Sequence, residues 1–304
     1  MQTTQAVFLV RPAHFSYNDE AAETNAFQNK PGNTATVNTE ALEEFNAFAD
    51  KLRAHRVEVN VFDDTPYPIK PDAIFPNNWI SLHDNGLAIL YPMAVYNRRH
   101  ELRGDIVQEL QHTYQLERVL DLSKYEKDGR FLEGTGSIVF DRANKTAYAC
   151  LSPRTDKGLL EEVCAELGYA SVAFYAHDEN GKEIYHTNVM MCIGSQFAAV
   201  CLDSITNLAE RKNVVAQLEN SGHEVIDITY AQMNRFAGNM LELKTATGEA
   251  VLALSQSAFD ALNAAQKTAI ERYCQLVPLP IPTIENIGGG SARCMIAEIF
   301  CSKR

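Results

Sequence analysis

Long hydrophobic runs, excess positive charge and a leader-like N-terminal region are all missing from this 304-residue sequence. No apolar stretch approaches the roughly 18 residues of a membrane span, so we expect no membrane association. The N-terminal region offers only five apolar residues in a row, too few for a secretory signal peptide. Acidic residues outnumber basic residues by 39 to 27, which removes electrostatic support for nucleic-acid binding.

The seven cysteines form no C-x-x-C pair and no histidine–cysteine cluster with zinc spacing. Their odd number also argues against a disulfide framework. We therefore expect a soluble, reduced, cytoplasmic protein without a structural metal. The sequence shows no low-complexity segment and no obvious linker, so a single domain over residues 1–304 is predicted.

What the sequence does contain is a repeating order of helices and strands. Five segments carry apolar residues at helical spacing, and they begin near Val37, Asn97, Asp156, Ile205 and Ala258. Each predicted helix is followed by a short apolar strand. Two further strands joined by a turn then lead to the next helix.

The two ends of the chain carry the strands that this repeat leaves without a hairpin partner. The last repeat keeps only one strand of its pair, CMIAEIF at 294–300, and the first strand, AVFLVRP at 6–12, stands alone. Pairing these two segments completes a fifth hairpin. The pattern therefore predicts an α/β fold of five similar units, closed into a ring by the N- and C-terminal strands.

One polar residue precedes the first hairpin strand of every unit, at a nearly constant interval of 53 or 55 residues. These residues are Asn78, Glu133, His186, Asn239 and Cys294. Pseudo-fivefold symmetry brings them together around one central axis. A cysteine, a histidine and a carboxylate in one place are the usual arrangement for nucleophilic catalysis.

The segment around Cys294 supports a nucleophile there. A run of three glycines at 288–290 precedes it, allows close backbone approach to a ligand, and with Arg293 favours the thiolate form. The other six cysteines are interpreted differently, as small buried apolar residues. Those are Cys150, Cys164, Cys192, Cys201, Cys274 and Cys301.

Six motifs in order resemble those of the superfamily of enzymes that modify guanidino groups. They are FLVRPAHF, PDAIFPNNW, LEGTGS, ACLSPRT, YHTNVMM and GGGSARCM. The superfamily contains arginine deiminases, dimethylarginine dimethylaminohydrolases and amidinotransferases, and the chain looks most similar to the branch of citrulline-utilisation hydrolases. The resemblance covers nearly the whole chain and implies a five-bladed α/β propeller, the pentein fold.

The resemblance also implies a role for each site residue. Cys294 is expected to attack the central carbon of a guanidino or ureido group. His186 is expected to protonate the departing nitrogen and later activate water, and Glu133 to bind a substrate nitrogen and position His186. The implied substrate-binding residues are Asp72, Asn77, Asn78, Arg98, Arg154, Asn188, Asn239 and Arg293. Of these, the two arginines Arg98 and Arg154 are expected to hold the α-carboxylate, which a guanidinium grips bidentately.

Two asparagines occupy positions where many arginine-processing relatives have aspartates. Asn78 and Asn188 offer neutral donors and acceptors instead of negative charge. We therefore predict a ureido substrate, citrulline, which yields ornithine, ammonia and carbon dioxide. An arginine or methylarginine deiminase or dihydrolase, an amidinotransferase and a non-catalytic amino-acid-binding protein are the alternatives. No metal or organic cofactor is implied, the expected partner is a small amino acid, and a homo-oligomer is left open.

Overall fold

The computed structural model describes residues 1–304 and contains fifteen short strands. The strands are β1 (Ala6–Arg11), β2 (Glu58–Asp63), β3 (Ile80–Leu82), β4 (Leu87–Leu90), β5 (Arg118–Asp121), β6 (Val139–Asp141), β7 (Thr146–Cys150), β8 (Ala170–Phe174), β9 (Met191–Ile193), β10 (Phe197–Val200), β11 (Glu224–Asp227), β12 (Leu241–Lys244), β13 (Ala250–Ser255), β14 (Gln275–Leu279) and β15 (Ala297–Ile299). They form five separate three-stranded sheets, which confirms the predicted number of units.

All five sheets share one topology. The middle strand pairs antiparallel with one neighbour, its hairpin partner in the predicted unit, and parallel with the strand that follows the helix. In the β3–β4–β5 sheet, Ile80 lies opposite Leu90 and Leu87 lies opposite Arg118. Parallel pairing requires a crossover connection, and the predicted helices provide it.

The sheet built from the two ends of the chain confirms the predicted fifth hairpin. β1 pairs antiparallel with β15, with Ala6 opposite Ile299 and Phe8 opposite Ala297. It also pairs parallel with β2 along its whole length. The first and last strands are thus held in one sheet by backbone hydrogen bonds.

Ten α-helices connect and cover the sheets. They are α1 (Asp19–Ala22), α2 (Val37–Ala54), α3 (Gly104–Thr113), α4 (Gly134–Ser137), α5 (Lys157–Leu167), α6 (Thr187–Met190), α7 (Leu208–Asn220), α8 (Tyr230–Met233), α9 (Gln256–Ala261) and α10 (Ala264–Glu271). None of them combines the length and apolar composition needed to traverse a bilayer.

Two of the five predicted long helices are broken in the structure. The segment near 97 begins as a 3₁₀ helix, Tyr96–Glu101, and α3 starts only after an extended Leu102 and Arg103. The segment near 258 divides into α9 and α10 because Leu262 is extended and Asn263 caps the second helix. An asparagine side chain that accepts from a backbone N–H starts a new helix more readily than it continues one.

Successive sheets touch one another. β15 contacts β3, β6 contacts β9, and β9 contacts β12. α4 lies against β3, which connects the second unit to the third. Between the β12–β13–β14 sheet and the sheet that contains β1, the backbone N–H of Lys244 donates to the carbonyl oxygen of Thr4 at 2.9 Å.

In two of the five units, a single helical turn occupies the place where the first strand of the hairpin was predicted to begin. α4 and α6 occupy 134–137 and 187–190, so β6 and β9 start later than expected. Glu133 and His186 occupy the N-cap positions of these turns but make no side-chain capping hydrogen bond. Their side chains are therefore free to bond to each other just before β6 and β9.

Candidate active site

The Glu133–His186 pair is the centre of the site. His186 Nε2 lies 2.7 Å from Glu133 Oε2, and both side chains are almost completely buried. Burial lowers the pKa of His186 to about 4, although Glu133 acts in the opposite direction. Burial alone would raise the pKa of Glu133, but Arg154 and His186 together hold it well below its usual range.

These shifts define the protonation of the pair at neutral pH. Glu133 is ionised and can only accept hydrogen bonds, so Nε2 of the neutral His186 carries the proton. Nδ1 is then left with a free lone pair. The carboxylate thus orients the imidazole and leaves its other nitrogen available as a base.

The sulfur of Cys294 is surrounded by amide donors. Asn239 Nδ2 lies 3.3 Å from Sγ and Asn188 Nδ2 lies 3.5 Å from it. Asn239 is anchored on its other side, because its Oδ1 accepts from the backbone N–H of Arg293 at 3.1 Å. Two amide groups from different units of the fold therefore hold the sulfur in place.

A small cavity connects these groups. It is lined by six of the residues expected at the site, namely Asp72, Asn78, Arg98, Arg154, His186 and Cys294. The backbone of the 288–290 glycine run forms another part of its wall. The structure therefore brings the cysteine, the histidine and four predicted substrate-binding side chains to one space.

The middle glycine of that run has no room for a side chain. Gly289 has a φ of +62°, and a Cβ there would lie 2.7 Å from Asn25 Nδ2 and equally close to Gln28. Asn25 and Gln28 donate to the carbonyl groups of Gly289 and Gly288, at 3.2 and 3.0 Å. The glycines thus let the segment over the cavity approach the backbone that leads to Cys294.

Gly136 has a comparable role beside the imidazole. A Cβ at this position would lie 2.5 Å from Asn78 Nδ2 and 2.7 Å from His186 Nδ1. We expect Gly136→Ala to lower kcat strongly with a smaller loss of stability, because the added methyl displaces both groups. Steady-state kinetics and thermal melting of Gly136→Ala, beside Gly32→Ala at an open position, measure this effect; unchanged kcat would contradict the geometry.

Asp72 Oδ1 and Asn78 Nδ2, on two residues that line the cavity, are buried without a hydrogen-bond partner. Asn188 Oδ1 is also unpaired, on a residue that lines the neighbouring small cavity and contacts Cys294 Sγ through its Nδ2. Each unpaired buried group costs about 1–3 kcal/mol, so such groups are uncommon in native proteins. The unpaired acceptor of Asp72 and the unpaired donor of Asn78 are thus available to a bound polar substrate.

Both arginines expected at the carboxylate are engaged by protein acceptors. Arg98 uses its Nε and Nη2 edge on Glu101, at 2.8 and 2.9 Å. Arg154 donates from Nη1 to Glu133 Oε2 at 3.3 Å and from Nη2 to the Ala21 carbonyl at 3.1 Å. The Nε–Nη2 edge of Arg98 is therefore occupied by a neighbouring carboxylate, and a role of Arg98 at the substrate carboxylate stays a prediction.

The segment 18–30 covers the cavity and was not anticipated from the sequence. Arg154 Nε donates to Thr24 Oγ1 at 3.0 Å, and Asn18 Nδ2 donates to Asp72 Oδ2 at 2.8 Å. Tyr185, also unanticipated, places its ring 5.0 Å from the Arg154 guanidinium and 4.6 Å from the His186 ring. The segment 18–30 has no clear apolar periodicity, so its asparagines were the only sequence signal that could have indicated a place at the site.

Five of the predicted site residues do not line this cavity, namely Asn77, Glu133, Asn188, Asn239 and Arg293. Glu133 contacts His186, and Asn188 and Asn239 contact Cys294 Sγ. The Arg293 guanidinium donates to Ile296 O at 2.9 Å and to Glu298 at 2.7 Å, and it lines a separate small cavity. It points away because Glu298, on β15, supplies a buried carboxylate on the opposite side. Asn77 is buried, and its backbone carbonyl accepts from Thr135 Oγ1 at 3.3 Å.

The site places a cysteine and a carboxylate-oriented histidine at a polar cavity, but it contains no metal-binding cluster. No group of three or more histidine, cysteine, aspartate or glutamate side chains is arranged to hold a metal ion. Five small sheets that present a cysteine and a carboxylate-oriented histidine define the pentein enzymes that modify guanidino groups.

Within that class, the chain belongs to the family described as N,N-dimethylarginine dimethylhydrolase, eukaryotic, whose model matches residues 11–301. The predicted superfamily is therefore confirmed, and with it a hydrolase that acts on carbon–nitrogen bonds other than peptide bonds. No curated protein sequence matches the chain.

Solved structures show the same fold. ArgZ, an arginine dihydrolase from the ornithine–ammonia cycle in cyanobacteria, is 15% identical with a TM-score of 0.76, and the match covers 96% of this chain but 40% of ArgZ. Its substrate-bound N-terminal domain matches over 97% of this chain and 99% of that domain, with 15% identity and a TM-score of 0.74. A dimethylarginine dimethylaminohydrolase adduct with S-methyl-L-thiocitrulline is 14% identical, with coverage of 97% and 99% and a TM-score of 0.64.

Proposed function

We propose that this chain hydrolyses the ureido group of citrulline through a covalent intermediate on Cys294, releasing ornithine, ammonia and carbon dioxide. The observation that carries the proposal is a pair of neutral amides beside the cysteine and its cavity. Asn78 lines the cavity and has an unpaired Nδ2 donor, and Asn188, whose Nδ2 contacts Cys294 Sγ, has an unpaired Oδ1 acceptor. A ureido group needs both, because it has one carbonyl oxygen and several N–H groups.

The fold proposed for this enzyme is one domain with five sheets in a closed pseudo-fivefold ring. Contacts between successive sheets, and the hydrogen bond from Lys244 to Thr4, support closure. Such a ring explains how residues 53 or 55 positions apart meet at one cavity. A cytoplasmic location also stays a prediction, supported by the cysteine composition.

The first chemical step forms the covalent intermediate. His186 Nδ1 takes the thiol proton of Cys294, and the thiolate attacks the ureido carbon. The resulting imidazolium protonates the terminal nitrogen, which leaves as ammonia and produces an S-linked thiocarbamate. Glu133 stabilises the imidazolium through the 2.7 Å contact with Nε2.

The second step regenerates the enzyme. With ammonia gone, His186 Nδ1 takes a proton from water, which attacks the thiocarbamate carbon and restores the Cys294 thiol. The product is the carbamate of ornithine, which decomposes to ornithine and carbon dioxide. One water is consumed, so citrulline plus water accounts for all atoms of the three products.

We assign recognition of the substrate's α-carboxylate to Arg154. It lines the cavity, and its remaining contacts go to Ala21 and Thr24 of the covering segment. A substrate carboxylate can replace these neutral acceptors with a stronger charge-assisted pair. Arg98 is less suited to this role, since Glu101 already occupies its bidentate edge.

Arginine dihydrolysis is the second candidate function. It is favoured by Asp72, whose Oδ1 has no partner and which offers a carboxylate to a guanidinium. The fold likeness to ArgZ, an arginine dihydrolase, points the same way. Amidino transfer and methylarginine hydrolysis use the same covalent chemistry and remain alternatives.

A substrate panel separates these functions. We expect kcat/KM for citrulline to exceed that for arginine by about 30-fold to 10⁴-fold, from two mismatched buried groups at about 1–3 kcal/mol each. Agmatine and methylated arginines complete the panel, and mass spectrometry identifies the products, with and without added glycine as an amidino acceptor.

The matching variant adds two negative charges to the site. Asn78→Asp combined with Asn188→Asp should shift the preference toward arginine, because two carboxylates pair with a guanidinium. Faster turnover of arginine than of citrulline by the unaltered protein would reject the ureido assignment and leave the hydrolase class in place.

A further inference from the structure

Glu101 is a buried carboxylate with no part in the reaction steps above. It ends the 3₁₀ helix 96–101 and binds Arg98 through two parallel hydrogen bonds, at 2.8 and 2.9 Å. Both side chains are at least 95% buried. A fork of this kind fixes the plane of the guanidinium as well as its position.

The other end of that guanidinium controls the amide of Asn78. Arg98 Nη1 donates to Asn78 Oδ1 at 2.9 Å. Because a guanidinium can donate but cannot accept, the Asn78 oxygen must face Arg98. The Asn78 NH₂ group is thereby turned the other way, where its nitrogen has no protein partner and the side chain lines the cavity.

We propose that Glu101 is a positioning residue that locks Arg98 and, through it, fixes Asn78 as a donor to the substrate's carbonyl oxygen. Selection of a ureido over a guanidinium group then depends on a residue that touches neither. This inference rests on the proposed function for the identity of the substrate class. It gives Arg98 an orienting role in place of the carboxylate grip expected from the sequence.

The alternative contact of Arg98 shows why the lock is needed. Arg98 Nε lies 3.7 Å from Asp72 Oδ2, the remaining carboxylate beside it. Without the Glu101 charge, the guanidinium turns toward Asp72 and Nη1 leaves Asn78. The Asn78 amide can then rotate and present its oxygen to the cavity, where a guanidinium N–H pairs with it.

Glu101→Gln tests the lock, and the chain supplies a matched control. Arg103 and Asp105 form the same two-bonded pair, with Nε to Oδ1 at 2.6 Å, but the Asp105 side chain is 64% exposed. Asp105→Asn therefore makes the same carboxylate-to-amide change away from the cavity. Kinetics with citrulline and arginine give the selectivity ratio for each protein.

We expect Glu101→Gln to lower the citrulline-to-arginine ratio of kcat/KM by about tenfold or more, which corresponds to about 1.4 kcal/mol. The loss should fall mainly on KM for citrulline, with kcat changed less. Asp105→Asn should leave the ratio unchanged. A general structural defect would instead lower kcat/KM for both substrates by the same factor.

Binding measurements make the test independent of turnover. In a Cys294→Ala background, calorimetry should show that Glu101→Gln weakens citrulline relative to arginine. An unchanged affinity ratio in a folded variant overturns the lock, whichever substrate the unaltered enzyme prefers. Preference of the unaltered enzyme for arginine overturns only the proposed substrate.

A second variant, Glu101→Asp, tests the same proposal if Glu101→Gln does not fold. Glu101→Asp keeps the charge beside Arg98 but is one methylene shorter, so the parallel pair is lost while the buried guanidinium stays neutralised. It should lower the ratio by a smaller factor in the same direction. A ratio equal to that of the unaltered enzyme counts against the lock.

Discussion

Replacement of Cys294 by serine should reduce turnover by at least about 10⁴-fold while leaving the fold intact, because nothing else at the site can act as the nucleophile. A serine hydroxyl is far less ionised than a thiol, and two amide donors at 3.3 and 3.5 Å do not remove that difference. Serine is close in size to cysteine, so thermal stability should change little. Product release under single-turnover conditions measures the loss.

The control for this experiment is another equally buried cysteine. Cys301 is 7% exposed against 6% for Cys294, and its Sγ lies 3.0 Å from the His83 carbonyl, outside the cavity. Cys301→Ser should keep substantial activity. Activity that survives Cys294→Ser and depends on another cysteine would show that the nucleophile is assigned wrongly.

Thiol reactivity supplies a second readout. Burial raises the pKa of each of the six other cysteines, to about 12 for Cys150 and Cys192 and to about 11 for Cys164 and Cys201. Their thiolate fraction at neutral pH is therefore very small. Iodoacetamide should label Cys294 first, and saturating citrulline should protect it; uniform labelling without protection would contradict the assignment.

The sheets could be predicted from the sequence because apolar periodicity and turn residues are local signals. Each unit carries its own hairpin and helix, and the unpaired strands at 6–12 and 294–300 left only one consistent pairing. The breaks at Leu102 and Leu262 were missed because apolar spacing continues across them. Only the capping side chain of Asn263 distinguishes one helix from two there.

Side-chain partners were harder to predict because they depend on long-range contacts. Glu101 is three residues from Arg98, yet no pattern indicates that it, and not a substrate, occupies the guanidinium edge. Arg293 adjoins the nucleophile in sequence, but Glu298 draws its side chain to the opposite side. Residue type and spacing predicted which groups converge, and the hydrogen bonds decided which of them face the cavity.

Removal of His186 should have the second largest effect. We expect His186→Ala to lower kcat by about 10²-fold or more, since the same imidazole takes the thiol proton, protonates the leaving nitrogen and activates water. His177→Ala, which alters a histidine outside the cavity in the same inter-strand connection, is the control and should retain activity. Intact-protein mass spectrometry of quenched His186→Ala should detect accumulated adduct, because hydrolysis of the intermediate also requires the base.

The pH dependence distinguishes a catalytic base from a structural histidine. Burial lowers the pKa of His186 to about 4, so the basic form is present above that pH and is lost as the pH falls through it. The acid limb of kcat/KM should therefore lie near pH 4, below the ordinary histidine value of about 6.5. Glu133→Gln removes a charge that raises this pKa, so the limb should move further down while kcat falls. Full activity in His186→Ala, or an acid limb that Glu133→Gln does not shift, would show that His186 is not the base.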